Sequence, residues 1–203
     1  MQINLINVGK RFNLEWIFRN INYTFTQGEC YAITGSNGSG KSTLLQIIAG
    51  SILHSEGFVH YNLNNQNLSE TECFKEISFI APYLELIEEM TALEFLQFHG
   101  TFKTLTKSNS EILESVGLSN AANKQIRNFS SGMKQRLKLA QAFFTNTPIL
   151  LLDEPCTNLD NSGIDLYHHL INNYASNKLI IVSSNDKNEY SYCTKVIPIE
   201  NYK

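Results

Sequence analysis

The spacing of hydrophobic positions divides this chain into segments of two periods. Ile21-Asn22-Tyr23-Thr24-Phe25 alternates apolar and polar residues, the pattern of a strand with one buried and one wet face, as in an antiparallel sheet. Ile3 to Val8 reads as its companion, and Gly28-Glu29 as the turn that follows. Continuous apolar runs then recur at Cys30 to Thr34, Ile77 to Ile80, Ile149 to Leu152 and Leu179 to Val182, as in strands buried on both faces. Gly57 to Tyr61 predicts a further strand, and Thr194 to Ile199 a last one that Pro198 assigns to a sheet edge.

Between these runs the period lengthens. Leu44 to Ala49 reads as a helix, and the pattern turns helical again from Pro82 to about Gly117. Thr91 and Glu94 have the spacing of a capping box that opens a helix bearing Leu93, Leu96 and Phe98. Ile112, Leu113 and Val116 line a second helix, which stops at Gly117. Met133 to Phe144 predicts a third, ended before Pro148, and Ile164, Tyr167, His168 and Ile171 form a helical stripe. Strands alternating with helices predict an α/β domain on a mostly parallel sheet, with an N-terminal antiparallel β part and a helical insertion over roughly residues 82–146.

Composition narrows the setting. The 203 residues suit one domain spanning 1–203, and 42% hydrophobic with 17% charged residues marks a globular chain. A net charge of -3 without a basic run argues against a nucleic-acid surface. Cys30, Cys73, Cys156 and Cys193 are scattered, which suits reduced thiols in a cytosolic protein better than a disulfide framework or a zinc site. The five histidines lack metal-ligand spacing, Met1-Gln2-Ile3-Asn4 does not read as a signal peptide, and no apolar run approaches the ~18 residues of a membrane span.

The candidate chemistry starts at Gly35-Ser36-Asn37-Gly38-Ser39-Gly40-Lys41-Ser42-Thr43, between a buried strand and a helix. That context makes G-x-x-x-x-G-K-[ST] a nucleoside triphosphate site and the fold a P-loop NTPase core. Glycines let successive N–H groups turn into one concavity, and the helix dipole points its positive end there. Lys41 is expected to reach the β- and γ-phosphates, Ser42 to place its hydroxyl on Mg²⁺, and Thr43 to contact the α-phosphate side. Ile149 to Leu152 delivers Asp153 and Glu154 to the carboxyl end of a strand, where open α/β sheets bind ligands. Asp153 is expected to hold Mg²⁺ through water, and Glu154 to orient or deprotonate the attacking water. In Ser130-Ser131-Gly132-Met133, either serine can cap the following helix, which makes a second anion-favouring helix start.

These elements, in this order, resemble the ATP-binding subunit of an ABC transporter over essentially the whole chain. The phosphate loop and the Asp153-Glu154 strand are similar to that family's Walker A and Walker B. Ser130-Ser131-Gly132-Met133 resembles its signature in the form of single-domain exporter-type subunits, with Ser131 for a glycine and Met133 for the glutamine. Asn158-Leu159-Asp160 resembles the D-loop, and Phe12 stands where an aromatic stacks on adenine, with Trp16 an alternative. The resemblance implies ATP and Mg²⁺ as cofactors and a head-to-tail homodimer, or a pair with another ATP-binding subunit. Two ATP molecules are then held between phosphate loop and signature, and an integral membrane permease keeps the cytoplasmic subunit at the inner face of the membrane. An ATP-gated binding switch and a soluble ABC-type ATPase are the competing readings.

Two positions depart from the family pattern. Tyr83, in Ala81-Pro82-Tyr83, stands where a glutamine contacts Mg²⁺ and water. Asn185 stands where a histidine contacts the γ-phosphate; its amide can hydrogen-bond there but carries no charge. Slow turnover is the expectation from both.

Overall fold

A computed structural model of the chain describes residues 1–63, 66–69 and 71–203. They form two compact units. The first comprises Met1–Phe79, Thr147–Glu154 and Asn177–Lys203; the second comprises Ile80–Asn146 and Pro155–Ser176.

The first unit is built on two sheets. β1 (Gln2–Phe12), β2 (Glu15–Thr26), β4 (Glu56–Leu63) and β5 (Gln66–Leu68) make an antiparallel sheet of order β2-β1-β4-β5. β1 buries Ile3, Leu5 and Val8 and β2 buries Phe18, Ile21 and Phe25. The β1–β2 register slips between Leu5 and Val8, where Asn7 adopts a φ of 51°. The Asn22 side chain covers that slip, accepting the Asn7 N–H at 3.0 Å and donating to the Asn7 carboxamide oxygen at 2.9 Å. This is the extra-residue irregularity that bends a strand and leaves backbone groups to be satisfied by side chains.

The second sheet has the order β6-β7-β8-β3-β9. Its strands are β3 (Cys30–Thr34), β6 (Ile77–Ile80), β7 (Ile149–Asp153), β8 (Leu179–Ser183) and β9 (Lys195–Pro198). β7, β8, β3 and β9 run parallel. Every residue of β7 and β8 is buried, which is why these segments read as unbroken apolar runs. β9 is an edge strand, as Pro198 predicts. α1 (Lys41–Ile48) buries Leu44, Leu45, Ile47 and Ile48 in one core with Tyr31, Ile33, Ile149, Leu151, Leu179 and Ile181. Tyr61 of β4 donates its hydroxyl to the carbonyls of Ile47 (3.3 Å) and Ile48 (3.0 Å), satisfying the last turn of α1. α6 (Lys187–Tyr190) completes this unit's α-helices among the described residues.

The cysteine expectation needs correction. Cys30 and Cys193 are joined as a disulfide, 163 residues apart in sequence. Cys30 opens β3 and Cys193 stands two residues before β9, so the parallel pairing of those strands sets their backbones 4.8 Å apart. Cys73 is buried and Cys156 half-buried.

The second unit is helical: α2 (Ala92–Gly100), α3 (Asn109–Ser115), α4 (Ser131–Phe143) and α5 (Asn161–Tyr174). The Thr91–Glu94 capping box is present, and a second one, Ser108 with Glu111, opens α3. Gly117, at a φ of 70°, ends the α3 segment. α2 carries Leu93, Leu96 and Phe98 as expected, but they do not share one buried face. Ala92, Phe95 and Leu96 are buried, Leu93 is half-buried, and Phe98 is exposed against the exposed Phe102. On α5 the buried positions are Gly163, Tyr167, Leu170 and Ile171, with Ile164 and His168 only half-buried. No described helix is long and apolar enough to cross a membrane.

His99 joins α2 to α4. The Gln141 amide lies 3.1 Å from its Nδ1, and Nε2 lies 2.8 Å from the Thr145 hydroxyl, which itself donates to the Gln141 carbonyl. The ring fits this chain in its neutral form, accepting at Nδ1 and donating at Nε2. Burial, aided by the charge of Lys103, lowers its pKa to about 4. The unfolded chain therefore binds a proton here that the native state refuses between pH about 6.5 and about 4. The contribution is whole above pH 6.5 and is lost as the pH falls through that window. Urea midpoints measured at pH 7 and pH 5 are expected to fall toward acid, and His99→Gln, which does not titrate, to flatten that slope. An unchanged slope in the variant would refute the assignment to His99.

Candidate functional site

Three segments leave the parallel sheet at one level because the register puts their last residues side by side. Asp153 pairs with Ser183, and Ser183 with Ile33. The bonding continues one step further: the Glu154 N–H donates to the Ser183 carbonyl at 2.9 Å, and the Ser184 N–H to that of Ile33 at 3.2 Å. The phosphate-loop residues, the Asp153-Glu154 pair and Asn185 are thereby gathered at the carboxyl edge of the sheet, where ligands bind in this architecture.

The loop itself is held by glycine and lysine. Gly35, Gly38 and Gly40 have φ values of 149°, 77° and 104°. A Cβ on Gly40 would collide with the Ile17 and Phe18 side chains, so the loop can pass β2 only as glycine. Lys41 is 5% exposed, and its Nζ donates to the carbonyls of Gly35 (2.8 Å) and Ser36 (3.2 Å). Asn37, Gly38, Ser39, Gly40, Lys41, Ser42, Thr43, Glu154 and Ile17 line a concavity of about 210 Å³. Gly35 and Ser36 stand outside that lining, and Glu200 accepts from the Ser36 N–H at 2.7 Å.

Asp153 is 1% exposed. Burial raises its carboxyl above the usual carboxylate range, against the opposing pull of the Ser42 and Ser183 hydroxyls and Lys41. Its Oδ1 has no hydrogen-bond partner among the described residues. A buried carboxylate oxygen without a donor, beside the Ser42 hydroxyl, is the hard oxygen set that Mg²⁺ takes, and these residues fit it. Glu154 follows at a φ of 43°, an uncommon backbone for a non-glycine residue, and lines the loop's concavity.

Asn185 does not stand alone. Its Nδ2 donates to the Asn37 Oδ1 at 2.8 Å, so the residue after β8 is tied to the phosphate loop by a neutral amide pair. Of the two candidate aromatics, Trp16 has the Arg19 guanidinium 4.1 Å from its ring centre and Arg11 at 5.5 Å, with Arg19 itself bonded to Glu56. Phe12 is 52% exposed at the end of β1, with Lys10 at 4.8 Å from its ring.

The remaining predicted residues belong to the second unit. Ser130 is the cap of α4, accepting the Met133 N–H at 3.3 Å, while Ser131 is the first helical residue; this settles which serine caps. Asp160 caps α5 through the Gly163 N–H at 2.9 Å and lies 3.6 Å from Arg136. That N–H, the Ser162 hydroxyl and the Arg136 charge hold its carboxyl below the usual range. Ser130, Ser131, Gly132, Met133 and Asp160 line a concavity of about 590 Å³ together with Lys124 and Arg136. A Cβ at Gly132 would sit 3.3 Å from the Asn158 carbonyl, a tight contact that glycine avoids. Tyr83 is 47% exposed, in a turn whose Ala81 and Pro82 carbonyls receive the Lys138 Nζ at 3.4 and 3.2 Å.

Sequence reasoning missed Ile17, Gln135 and Glu200. Gln135, 3% exposed, donates to the Pro155 carbonyl at 2.6 Å and steadies the segment before Asp160. Its signal was a polar residue on the core side of an amphipathic helix. Ile17 and Glu200 reach the loop through non-local packing and leave no local pattern.

Residues 18–157 match the family described as ABC transporter. The chain is 34% identical over 192 residues to the ABC transporter ATP-binding protein YybJ of Bacillus subtilis, covering 92% of this chain and 87% of that one. It is 38% identical over 156 residues to the cytochrome c biogenesis ATP-binding export protein CcmA of Xylella fastidiosa, covering 74% and 71%. Among solved structures, the ATP-binding cassette MJ0796, a dimer in a post-hydrolysis state bound to ADP and Pi, is 27% identical. It superposes with a TM-score of 0.81 over 96% of this chain and 92% of that one.

The buried, raised carboxyl of Asp153 carries a test. Asp153→Asn removes a charge that burial opposes, so the nucleotide-free protein is expected to gain roughly 1 kcal/mol or more in urea unfolding. The same variant is expected to lose the extra stabilisation that Mg²⁺ adds to ATP in a thermal melt. A variant that is less stable without nucleotide and keeps the Mg²⁺ increment would contradict this account.

Proposed function

Because the chain belongs to the ABC transporter ATP-binding family, we propose that it binds and hydrolyses ATP to drive a separate integral membrane permease. In this reading residues 1–203 are a single ABC-type ATP-binding domain with its helical insertion over roughly 82–146. It works as a dimer, with itself or with another ATP-binding subunit, on the cytoplasmic face of the membrane. The observation that carries the reading is the concavity in which Lys41, Ser42 and Glu154 converge beside a buried Asp153 oxygen that lacks a donor among the described residues.

Each residue has a role. The N–H groups of Gly38 to Thr43 and the α1 dipole bind the phosphates, and Lys41 turns from the Gly35 and Ser36 carbonyls to the β- and γ-phosphates. Ser42 and Asp153 hold Mg²⁺, which when bound neutralises charge on the phosphates. Glu154 accepts the proton of the attacking water, and its left-handed backbone turns it away from Asp153 and into the concavity. Phe12 stacks on adenine, which the covered ring of Trp16 supports. Ser130, Ser131, Gly132 and Met133 meet the ATP of the partner copy, with Asp160 holding the start of α5 behind them. Tyr83 lies on the loop that senses Mg²⁺ and water.

The competing reading, an ATP-gated switch with slow hydrolysis, is favoured by one contact. Asn185 is engaged with Asn37 and supplies no charge to a transition state.

Glu154→Gln conserves shape but is a far weaker base. It is expected to trap ATP and to elute as a dimer on gel filtration only when ATP is present, while its turnover falls at least about 10²-fold. A monomer at saturating ATP, beside a wild type that hydrolyses, refutes the role of Glu154. Asn185→His is expected to raise turnover about tenfold with little change in ATP affinity. If no rise is seen, alone or together with Tyr83→Gln, Asn185 does not limit the rate.

A further inference from the structure

We propose that Glu200 is a positioning residue that keeps the phosphate loop in its binding shape at the moment Lys41 lets go of it. This rests on the reading of that loop as the ATP site, but it concerns a residue outside every motif of the chain.

The geometry comes from the edge of the sheet. β9 pairs with β3 in parallel, and Thr34 lies opposite Pro198. Two residues further along each strand come Ser36 and Glu200, so the register carries the carboxylate to the first turn of the loop. Glu200 Oε1 accepts from the Ser36 N–H at 2.7 Å and from the Ser36 hydroxyl at 3.1 Å. The residue before it, Ile199, is 0% exposed within the main core, and Tyr202 packs against that core. The C-terminal 3₁₀ turn, Ile199–Tyr202, is therefore a fixed platform although the Glu200 side chain is exposed.

One peptide group is gripped from both ends. The bond between Gly35 and Ser36 presents its carbonyl to Lys41 Nζ at 2.8 Å and its N–H to Glu200 Oε1 at 2.7 Å. Gly35 has a φ of 149° and no room for a side chain: a Cβ would lie 2.7 Å from Ile199 and 2.8 Å from the Glu200 carboxylate. Glycine permits this close approach, and it also leaves the peptide free to rotate. While Lys41 holds the carbonyl, the plane is fixed twice over. Once Lys41 moves to the phosphates, the carbonyl loses its cation and Glu200 is the remaining grip on that plane. A carboxylate is suited to this, because its bond to an N–H is charge-assisted. The Ser36 N–H in turn keeps the Glu200 carboxyl below the usual carboxylate range, so the acceptor is ionised at neutral pH.

The geometry separates positioning from competition. A carboxylate that merely mimicked a phosphate would have to occupy the concavity formed by Asn37 to Thr43. Glu200 and Ser36, whose N–H it binds, both lie outside that lining. Its removal should therefore weaken nucleotide binding rather than relieve it.

The test is calorimetric titration of MgATP into wild type, Glu200→Ala, Glu200→Gln, Glu200→Asp and Lys41→Ala. The expected result is a loss of about fivefold or more in affinity for Glu200→Ala. Glu200→Gln, which keeps an acceptor oxygen at the same reach, should recover most of it, and Glu200→Asp, which keeps the charge but is one methylene short, should not. Thermal midpoints without nucleotide should stay within about 2 °C of wild type, because Lys41 still holds the peptide in that state. Wild-type affinity in Glu200→Ala, tighter binding, or a Glu200→Asp that matches wild type each overturns the proposal. Should Glu200→Ala not melt cooperatively, the Gln and Asp variants decide alone. If wild type itself fails to bind MgATP, or Lys41→Ala binds as well as wild type, it is the ATP-site reading that fails.

Discussion

The site depends on a register. Parallel strands have evenly spaced, slanted hydrogen bonds, so the level at which each strand ends is set by its pairing and by nothing else. Here Ile33, Ser183 and Asp153 are neighbours across β3, β8 and β7, and the three following segments turn off together. A slip of one residue in β7 would invert its faces, sending Asp153 to the opposite side of the sheet. Burial of every residue in β7 and β8 makes such a slip costly, because both faces are packed in the core. The apolar runs that predict the strands are thus also what holds the chemistry in line.

Stability is given up locally at that edge. Asp153 is buried with an oxygen unpartnered among the described residues, Glu154 holds a left-handed backbone, and Gly35 and Gly40 have no room for a Cβ. Each feature is unfavourable in isolation, and each is held by the packed core under it. The contrast with α2 and α3 is plain: their starts carry complete capping boxes, and their local rules are all obeyed. Left-handed backbone also occurs at Asn7, Asn13 and Asn20 in and between β1 and β2, where asparagine tolerates it; among the described residues Glu154 is the one such position that is neither asparagine nor glycine.

Legibility in the sequence followed the range of the interaction. The β3 strand and the cap at Thr91 were readable because their causes lie within a few residues. The edge position of β9 was readable from the missing N–H of Pro198. Which face of α2 is buried was not legible, because Phe98 is apolar but lies near the helix end, where it meets Phe102 at the surface. Periodicity over nine residues cannot separate that from a core contact. The Cys30–Cys193 pairing, the Asn37–Asn185 bond and the Glu200 grip all join segments more than 140 residues apart. They follow from strand order, which no local pattern encodes.

Lys41 begins with both of its partners inside the loop it serves. An arriving anion therefore meets no bare, hydrated ammonium group whose water must be stripped. It meets a cation already dehydrated and lent to two carbonyls, and capture becomes an exchange of one set of oxygens for another. The same exchange runs backward on departure, when the carbonyls reclaim the lysine and compete with the leaving ligand. Such an internal competitor trims affinity and shortens the residence of the bound anion.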